Sequence, residues 1–313
     1  MQVIELKEPY DQNQIPQEPL VMAAGFFDGV HLGHQKVIRT AAYKARVTGL
    51  KLAVLTFDVY PKMFFQKIKD NRVKYLTTNA TKAELMAELG VDHLFVVRFD
   101  KQMMKMPPQE FVDKYFVGLH TKYLVAGEDF TYGKHDIASM KRLPAYAKDR
   151  FKIISVTHLK DQAGKVGSTR IRQLLDQGNV FEANRLLGRP YATHGKIVHG
   201  FRRGHLIGFP TINIDSDEWE RIPGEGVYAV KVKIEDSKWI MGMASIGHND
   251  TFGDDLKKTV EINLFNFNQD VYGKQVAVQW YYRLRPMIKF ASVGDLISQL
   301  KADREKTRAL FRK

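Results

Sequence analysis

The stretch Gly25-Phe26-Phe27-Asp28-Gly29-Val30-His31-Leu32-Gly33-His34 decides how the first half of the chain is read. It follows an apolar run, Val21-Met22-Ala23-Ala24, and passes into Gln35 to Thr48, where apolar residues recur at helical spacing. A strand, a glycine-rich loop and a helix in that order form the opening unit of a parallel α/β sheet. Glycines at 25, 29 and 33 permit tight turns and close approach of a ligand, and the helix start offers unpaired N–H groups to a phosphate. His31 and His34, three apart, share one helix face and can reach the same anionic group; such a pair can equally hold a metal or stand at the surface.

The pattern repeats outward from this loop. From Pro19 to about Gly188, the runs Leu52 to Phe57, His93 to Phe99, Tyr123 to Ala126 and Ile153 to Val156 read as further strands. Between them Lys82 to Leu89, Gln109 to Leu119 and Ile137 to Ala147 have helical spacing, and Pro107-Pro108 marks a helix start. Two short helical segments, Thr169 to Gln177 and Val180 to Leu187, end in Gly188-Arg189-Pro190, a stop followed by a turn. The spacing therefore places the domain boundary after residue 187. Beyond it the candidate strands are Lys196 to Val198, Thr211 to Ile214, Val227 to Ile234, Trp239 to Ile246, Val260 to Phe267 and Gln275 to Leu284. Punctuated by Gly, Pro and Asn, these six strands predict a small antiparallel barrel or sandwich, with Val293 to Phe311 as a closing helix. The expected fold class is α/β plus β, with a parallel-sheet domain over 1–187 and an antiparallel β domain over 188–313.

Composition narrows the chemistry. The 313 residues include no cysteine, which excludes disulfides, zinc-thiolate sites, iron–sulfur clusters and a cysteine nucleophile. No apolar run approaches the length of a membrane span, and the N-terminal residues lack a leader pattern, so the chain reads as soluble and cytoplasmic with no membrane partner. The net charge of +13 points to anionic ligands: nucleic acid, an acidic surface or small phosphorylated molecules. It is spread evenly, with 28 basic against 20 acidic side chains up to Arg185 and 20 against 15 after it. With neither a clustered basic stripe nor a nucleic-acid-binding signature, no nucleic-acid partner is expected, and a basic nucleic-acid-binding regulator stands as the non-enzymatic alternative.

The glycine-rich loop is neither Gly-x4-Gly-Lys-[Ser/Thr] nor Gly-x-Gly-x-x-Gly. It resembles the nucleotide-binding signature of the flavin-adenylylating branch of the nucleotidyltransferase superfamily, His31-Leu32-Gly33-His34 matching the His-x-Gly-His motif. A second stretch, Val166-Gly167-Ser168-Thr169-Arg170-Ile171-Arg172, resembles that family's Ile-Ser-Ser-Thr-x-x-Arg, with Gly167 in place of the first serine. A third, Gly127 to Lys134, resembles Gly-Glu-Asp-Phe-x-Phe-Gly-Lys. The resemblance implies a Rossmann-like nucleotidyltransferase domain in which Gly25, Phe26, Phe27, Asp28, Gly29, Gly33, Asp129, Ser168 and Thr169 bind ATP and flavin. It also implies that His31, His34 and Arg172 act on the triphosphate, that Asp129 holds adenine or ribose hydroxyls, and that the aromatics beside it pack a flavin ring. Tyr60, and His135 to Ala138, replace residues the family commonly has.

In the second half, Gly208-Phe209-Pro210-Thr211-Ile212-Asn213 resembles the Gly-Phe-Pro-Thr-Ala-Asn mark of riboflavin kinases. Thr211 and Asn213 alternate along a strand and so face one side, where both can offer oxygen to Mg²⁺ and to ATP phosphates. Glu261 matches the family's catalytic base, Gly208 and Pro210 its nucleotide loop, and Arg285 a position near flavin and phosphate. Asp250 stands where the family has proline, and Asn266 where it commonly has aspartate. From about Val21 to Phe311, the chain is similar to the bacterial bifunctional riboflavin kinase/FAD synthetase family. The resemblance implies that the domain over 188–313 is a six-stranded antiparallel β-barrel. It also implies phosphorylation of riboflavin to FMN and adenylylation of FMN to FAD, with Mg²⁺ as cofactor and ATP as co-substrate. Riboflavin, FMN, FAD and ATP are then the partners of a monomer or transient oligomer. The enzymatic alternative is a monofunctional FMN adenylyltransferase with an inactive kinase-like domain.

Overall fold

A computed structural model describes residues 1–61, 74–200, 204, 207–248 and 258–312. Packing divides the chain into two compact units, Met1–Val73 with Thr77–Gly167, and Lys74–Leu76 with Ser168–Lys313.

The first unit is built on six parallel strands: β1 (Gln2–Leu6), β2 (Leu20–Ala24), β3 (Lys51–Phe57), β4 (His93–Val97), β5 (Thr121–Gly127) and β6 (Lys152–Val156). Their order across the sheet is β1-β4-β3-β2-β5-β6. Every residue of β2 is buried, as a central strand covered on both faces requires. Leu20, Met22 and Ala24 pack into one core with Phe111, Tyr115 and Phe116, while Val21 and Ala23 face Val37, Ile38, Ala41 and Ala45 of helix α1 (Leu32–Thr48). From β2 the chain runs to β3 on one side, and β5 later joins on the other. The crevice outside the carboxyl ends of β2 and β5 is thus the point where strand order reverses, the usual place for a ligand in such sheets.

The remaining helices of this unit are α2 (Asn79–Glu88), α3 (Lys101–Lys105), α4 (Pro108–Val112), continued by a π-helical turn over Asp113–Val117, and α5 (Leu143–Ala147). Three expectations are corrected here. Strand β1 was not anticipated; its buried residues, Ile4 and Leu6, are too few to set a pattern in an edge strand. Strand β4 ends at Val97 rather than Phe99, because the Phe99 N–H donates to Asp58 Oδ1 (2.8 Å). The helix expected over 137–147 is confined to Leu143–Ala147, since Pro144 has no N–H and fits only the first turn. The residues before it form turns closed by Tyr132 N–H to Ala138 O (3.1 Å). A short hairpin, β7 (Lys160–Asp161) with β8 (Gly164–Lys165), completes the unit.

The second unit begins with α6 (Ser168–Asp176) and α7 (Val180–Leu187), followed by the strands β9 (Tyr191–Val198), β10 (Ile212–Ser216), β11 (Gly226–Ile234), β12 (Ile240–His248), β13 (Lys258–Leu264) and β14 (Gln275–Arg285). They close into the antiparallel barrel β10-β13-β12-β11-β14-β9. Trp280 is fully buried and its Nε1–H donates to Thr193 Oγ1 (2.9 Å). Helix α8 (Val293–Arg312) lays Ile297 and Leu300 against Phe209, Met243 and Phe265, and Leu310 and Phe311 against Val227, Ala229 and Leu284.

Packing divides the chain after Gly167, twenty residues before the boundary read from the sequence. The stop at Gly188 ends a helix that belongs to the barrel. Asn184 donates from Nδ2 to Trp280 O and accepts at Oδ1 from Tyr191 N–H, each at 2.7 Å, which ties α7 to β14 and β9. Arg221 likewise holds Asp176 at the end of α6 with two bonds of 2.8 and 2.6 Å. Lys74–Leu76 joins this unit through Tyr75 N–H to Trp219 O and Arg221 N–H to Tyr75 O. Among the described residues no helix is long and apolar enough to cross a membrane.

Candidate active sites

The loop after β2 holds an unusual backbone. Phe27, Gly29 and Val30 have φ of 55°, 83° and 38°, three left-handed residues within four positions. Gly29 adopts this without a Cβ, whereas Phe27 and Val30 each carry a cost on the order of 1 kcal/mol. Burial of both side chains in the core beside α1 opposes that cost. Threonines pin the turn: Gly29 N–H donates to Thr77 Oγ1 (3.1 Å), Thr77 N–H to Asp28 Oδ1 (3.3 Å), and Thr56 Oγ1–H to Phe26 O (2.9 Å). Asp28 is only 2% exposed.

His31 is the N-cap of α1, its Nδ1 accepting from His34 N–H at 3.3 Å, so a neutral ring carries its proton on Nε2. The His31 and His34 rings stack at 3.5 Å and 21°, and Phe27 meets His34 edge-on at 5.4 Å. The two histidines are therefore brought together as the sequence predicts. Parallel stacking aims their in-plane lone pairs alongside one another rather than at a common point, which disfavours a shared metal. Among the described residues no group of three or more His, Cys, Asp or Glu could hold one. The first turn of α1 carries no acidic residue, so no carboxylate of that turn opposes an anion at this helix start.

Gly25 follows β2 and Asp129 follows β5, on the two strands that flank the order reversal. Asp129 is engaged at both oxygens, with Lys165 Nζ at 2.5 Å and His158 Nε2 at 3.0 Å, while His158 Nδ1 meets Glu128 at 2.8 Å. Burial pushes the Asp129 pKa up, but the bonds and charges of Lys165 and His158 outweigh it and hold the carboxyl below its ordinary value. The flavin-packing role expected of the neighbouring aromatics does not extend to Tyr132. Its ring is in the core, stacked on Phe111 at 5.6 Å and edge-on to Phe116.

One residue escaped the sequence reading. Lys82 on α2 is 2% exposed, its Nζ 3.4 Å from each of Thr56 Oγ1, Phe57 O and Asn79 Oδ1, and 4.4 Å from the centre of the Phe26 ring. Burial lowers its pKa to about 8, the Asp28 and Asp58 carboxylates opposing the shift. The signal in the sequence is faint: Lys82 is one helical turn before buried Met86, a cation on an apolar stripe.

Ser168 and Thr169 are the first two residues of α6 and Arg172 lies half-buried one turn on, within the second unit. In the barrel, Asn213 on β10 is directly opposed to Glu261 on β13, which puts the two side chains on one face with Cβ atoms about 5 Å apart. Ile214, Val260 and Ile262 alternate to the other side and are buried. Strand β10 begins at Ile212, so Thr211 stands just before it, two residues from Asn213. Gly200 makes room for the Asn213 amide, since a Cβ there would fall 2.0 Å from its nitrogen. Phe209 anchors the loop beneath Arg304, whose guanidinium lies 4.3 Å from the ring centre, and Gly208 turns it at φ 77°. Asn263, also missed in the sequence, donates from Nδ2 to Pro210 O at 2.7 Å and holds this loop to β13. Arg285 is drawn toward α8, its Nε–H donating to buried Asp303 (2.9 Å) and its Nη1–H to Pro286 O (3.1 Å). The stretch Asn249 to Gly253 lies outside the described residues.

A family model for FAD synthetase matches residues 13–170, and one for riboflavin kinase matches residues 187–311. The chain is 45% identical to the bifunctional riboflavin kinase/FMN adenylyltransferase of Listeria monocytogenes, covering 100% of this chain and 99% of the relative. The chain belongs to that family. The Bacillus subtilis member is 38% identical, with 99% and 98% of the two chains covered. A solved structure from Streptococcus pneumoniae, described as a macrolide-efflux protein, has a TM-score of 0.90 and 38% identity over 98% of this chain and 99% of that one. As a family member carrying both halves, the chain is a transferase that phosphorylates riboflavin to FMN and adenylylates FMN to FAD, using ATP in each step.

Proposed function

We propose that Glu261, Thr211 and Asn213 carry the kinase reaction, and that His31 and His34 with Ser168, Thr169 and Arg172 carry adenylyl transfer. The observation that supports the first assignment most strongly is the opposition of Glu261 and Asn213 across the β10–β13 seam. A carboxylate beside that amide is placed to accept the proton of the ribityl 5′-hydroxyl as its oxygen attacks the γ-phosphorus and ADP departs. Thr211 and Asn213 present neutral oxygens suited to a hard cation, whose other ligands would be ATP phosphate oxygens and water. Bound there, Mg²⁺ would neutralise charge on the phosphates. Gly208 and Pro210 shape the loop around them, and Arg285 completes the flavin and phosphate side.

In adenylyl transfer an FMN phosphate oxygen attacks the α-phosphorus of ATP, the bond to the bridging oxygen breaks, and pyrophosphate leaves. The attacking phosphate is already ionised and needs no base, so the protein's work is positioning and charge neutralisation. Gly25, Phe26, Phe27, Asp28, Gly29 and Gly33 form the nucleotide loop, the stacked His31 and His34 face the triphosphate, and Asp129 serves the adenosine. The part given to Ser168, Thr169 and Arg172 is supported by their family signature, whose Ser168 and Thr169 fall within the matched residues. The same reading places the chain in the cytoplasm, acting on small molecules as a monomer or transient oligomer without nucleic acid or membrane.

Chromatography of products from riboflavin, then from FMN, tests the assignment on one preparation. Glu261→Gln is expected to stop FMN formation and leave FMN conversion to FAD intact, while His31→Ala with His34→Ala lets FMN accumulate. Loss of both activities in either variant would refute separate sites.

A further inference from the structure

Neither reaction as assigned uses the buried amine of Lys82. A side chain needed there only for packing would be apolar, like Met86 one turn along, because a buried ammonium loses its hydration. Its partners lie along one short arc, where β2 and β3 reach their carboxyl ends. Thr56 Oγ1 and Phe57 O belong to the end of β3, and the Phe26 ring to the turn that follows β2. Thr56 in turn donates to Phe26 O, so the amine reaches that turn both through the ring face and through the threonine. Thr77, just before α2, holds the other side of the same turn through Asp28 and Gly29.

We propose that Lys82 is a positioning residue for adenylyl transfer, its ammonium group bracing the Phe26–Asp28 turn against the end of β3 and so holding the loop that receives the ATP phosphates. The inference rests on residues 25–34 being that nucleotide loop. The bracket acts while the amine is charged, because attraction to the Phe26 ring and to the carboxylates requires the cation. The charged groups facing it are Asp28 from the turn after β2 and Asp58 from the segment after β3; Thr56 and Asn79 are neutral. With a pKa lowered to about 8, the charge is present at neutral pH and lost in mild alkali.

The test is the pH dependence of FMN conversion to FAD by the full-length protein, from about pH 6.5 to about pH 9.5, with Lys82→Met beside the parent. The parent is expected to lose kcat/KM for ATP above about pH 8, and the variant to lack that falling limb. At pH 7 the variant should show KM for ATP raised by about tenfold or more, with riboflavin phosphorylation within about twofold of the parent. Its thermal midpoint should hold or rise, because a buried charge has been removed. A KM within about twofold of the parent, a falling limb that persists in the variant, or loss of both activities with a lower midpoint would each overturn the proposal. His31→Ala with His34→Ala separates the premises: if that variant still makes FAD at the parental rate, the nucleotide-loop reading fails. If it does not, while Lys82→Met behaves as the parent, only the bracing role fails.

Discussion

Lys82 and Asp129 both make stability rise with pH, one in the alkaline range and the other in the acid range. Between about pH 8 and the ordinary lysine value of 10.5, unfolded chains hold a proton on Lys82 that folded ones lack. Stability should therefore rise with pH across that window, and the cost of the buried charge, on the order of 3 kcal/mol, is fully present below it. Denaturant unfolding at the two ends of the window, repeated on Lys82→Met, should show the gain in the parent and its absence in the variant. Asp129, held below its ordinary value, contributes above that value and loses its contribution as pH falls through the folded pKa. Asp129→Asn should flatten the acid limb of stability by a small amount, since the side chain is 57% exposed and screened by solvent. At this scale the meeting of His31 and His34 was legible, because residues three apart at a helix start share a face. Lys82 and Asn263 were not, because their meaning depends on contacts with Phe26 and Pro210, each more than fifty residues away.

Among elements, the barrel strands were legible and the connections between sheet strands less so. Alternation of buried and half-buried residues, as in Val260 to Ile262, can be read within a single strand. The helix placed over 137–147 failed because apolar spacing alone does not show that Pro144 must open a helix rather than continue one. The loop joining Gly208 to Thr211 depends on β13 for its position, through Asn263. Asn263→Leu should free the Pro210 carbonyl and raise KM for ATP in riboflavin phosphorylation by several-fold, about the worth of one hydrogen bond, with FMN adenylylation unchanged. Steady-state kinetics of both half-reactions on the same variant checks this.

On the scale of the molecule, the break after Gly167 makes a testable statement about what the barrel needs. A fragment starting at residue 168 retains α6 and α7 over β9 and β14, whereas one starting at 188 exposes Tyr191 and strips Asn184 from Trp280 O. The longer fragment should melt at the higher temperature by calorimetry, and equal midpoints would return the boundary to Gly188. Of the net charge of +13, which first pointed to anionic ligands, the roles proposed for Arg172, Arg285 and Lys82 account for only a part.

The fully enclosed indole of Trp280 carries one more consequence. All three tryptophans of the chain, Trp219, Trp239 and Trp280, belong to the barrel unit, and the sheet unit has none. Selective excitation of indole emission therefore follows the kinase half alone, with the Trp280–Thr193 bond as its dry, hydrogen-bonded reporter. Circular dichroism sees the helices and strands of both halves. The separation between the two melting curves is then a direct measure of whether the halves unfold as one.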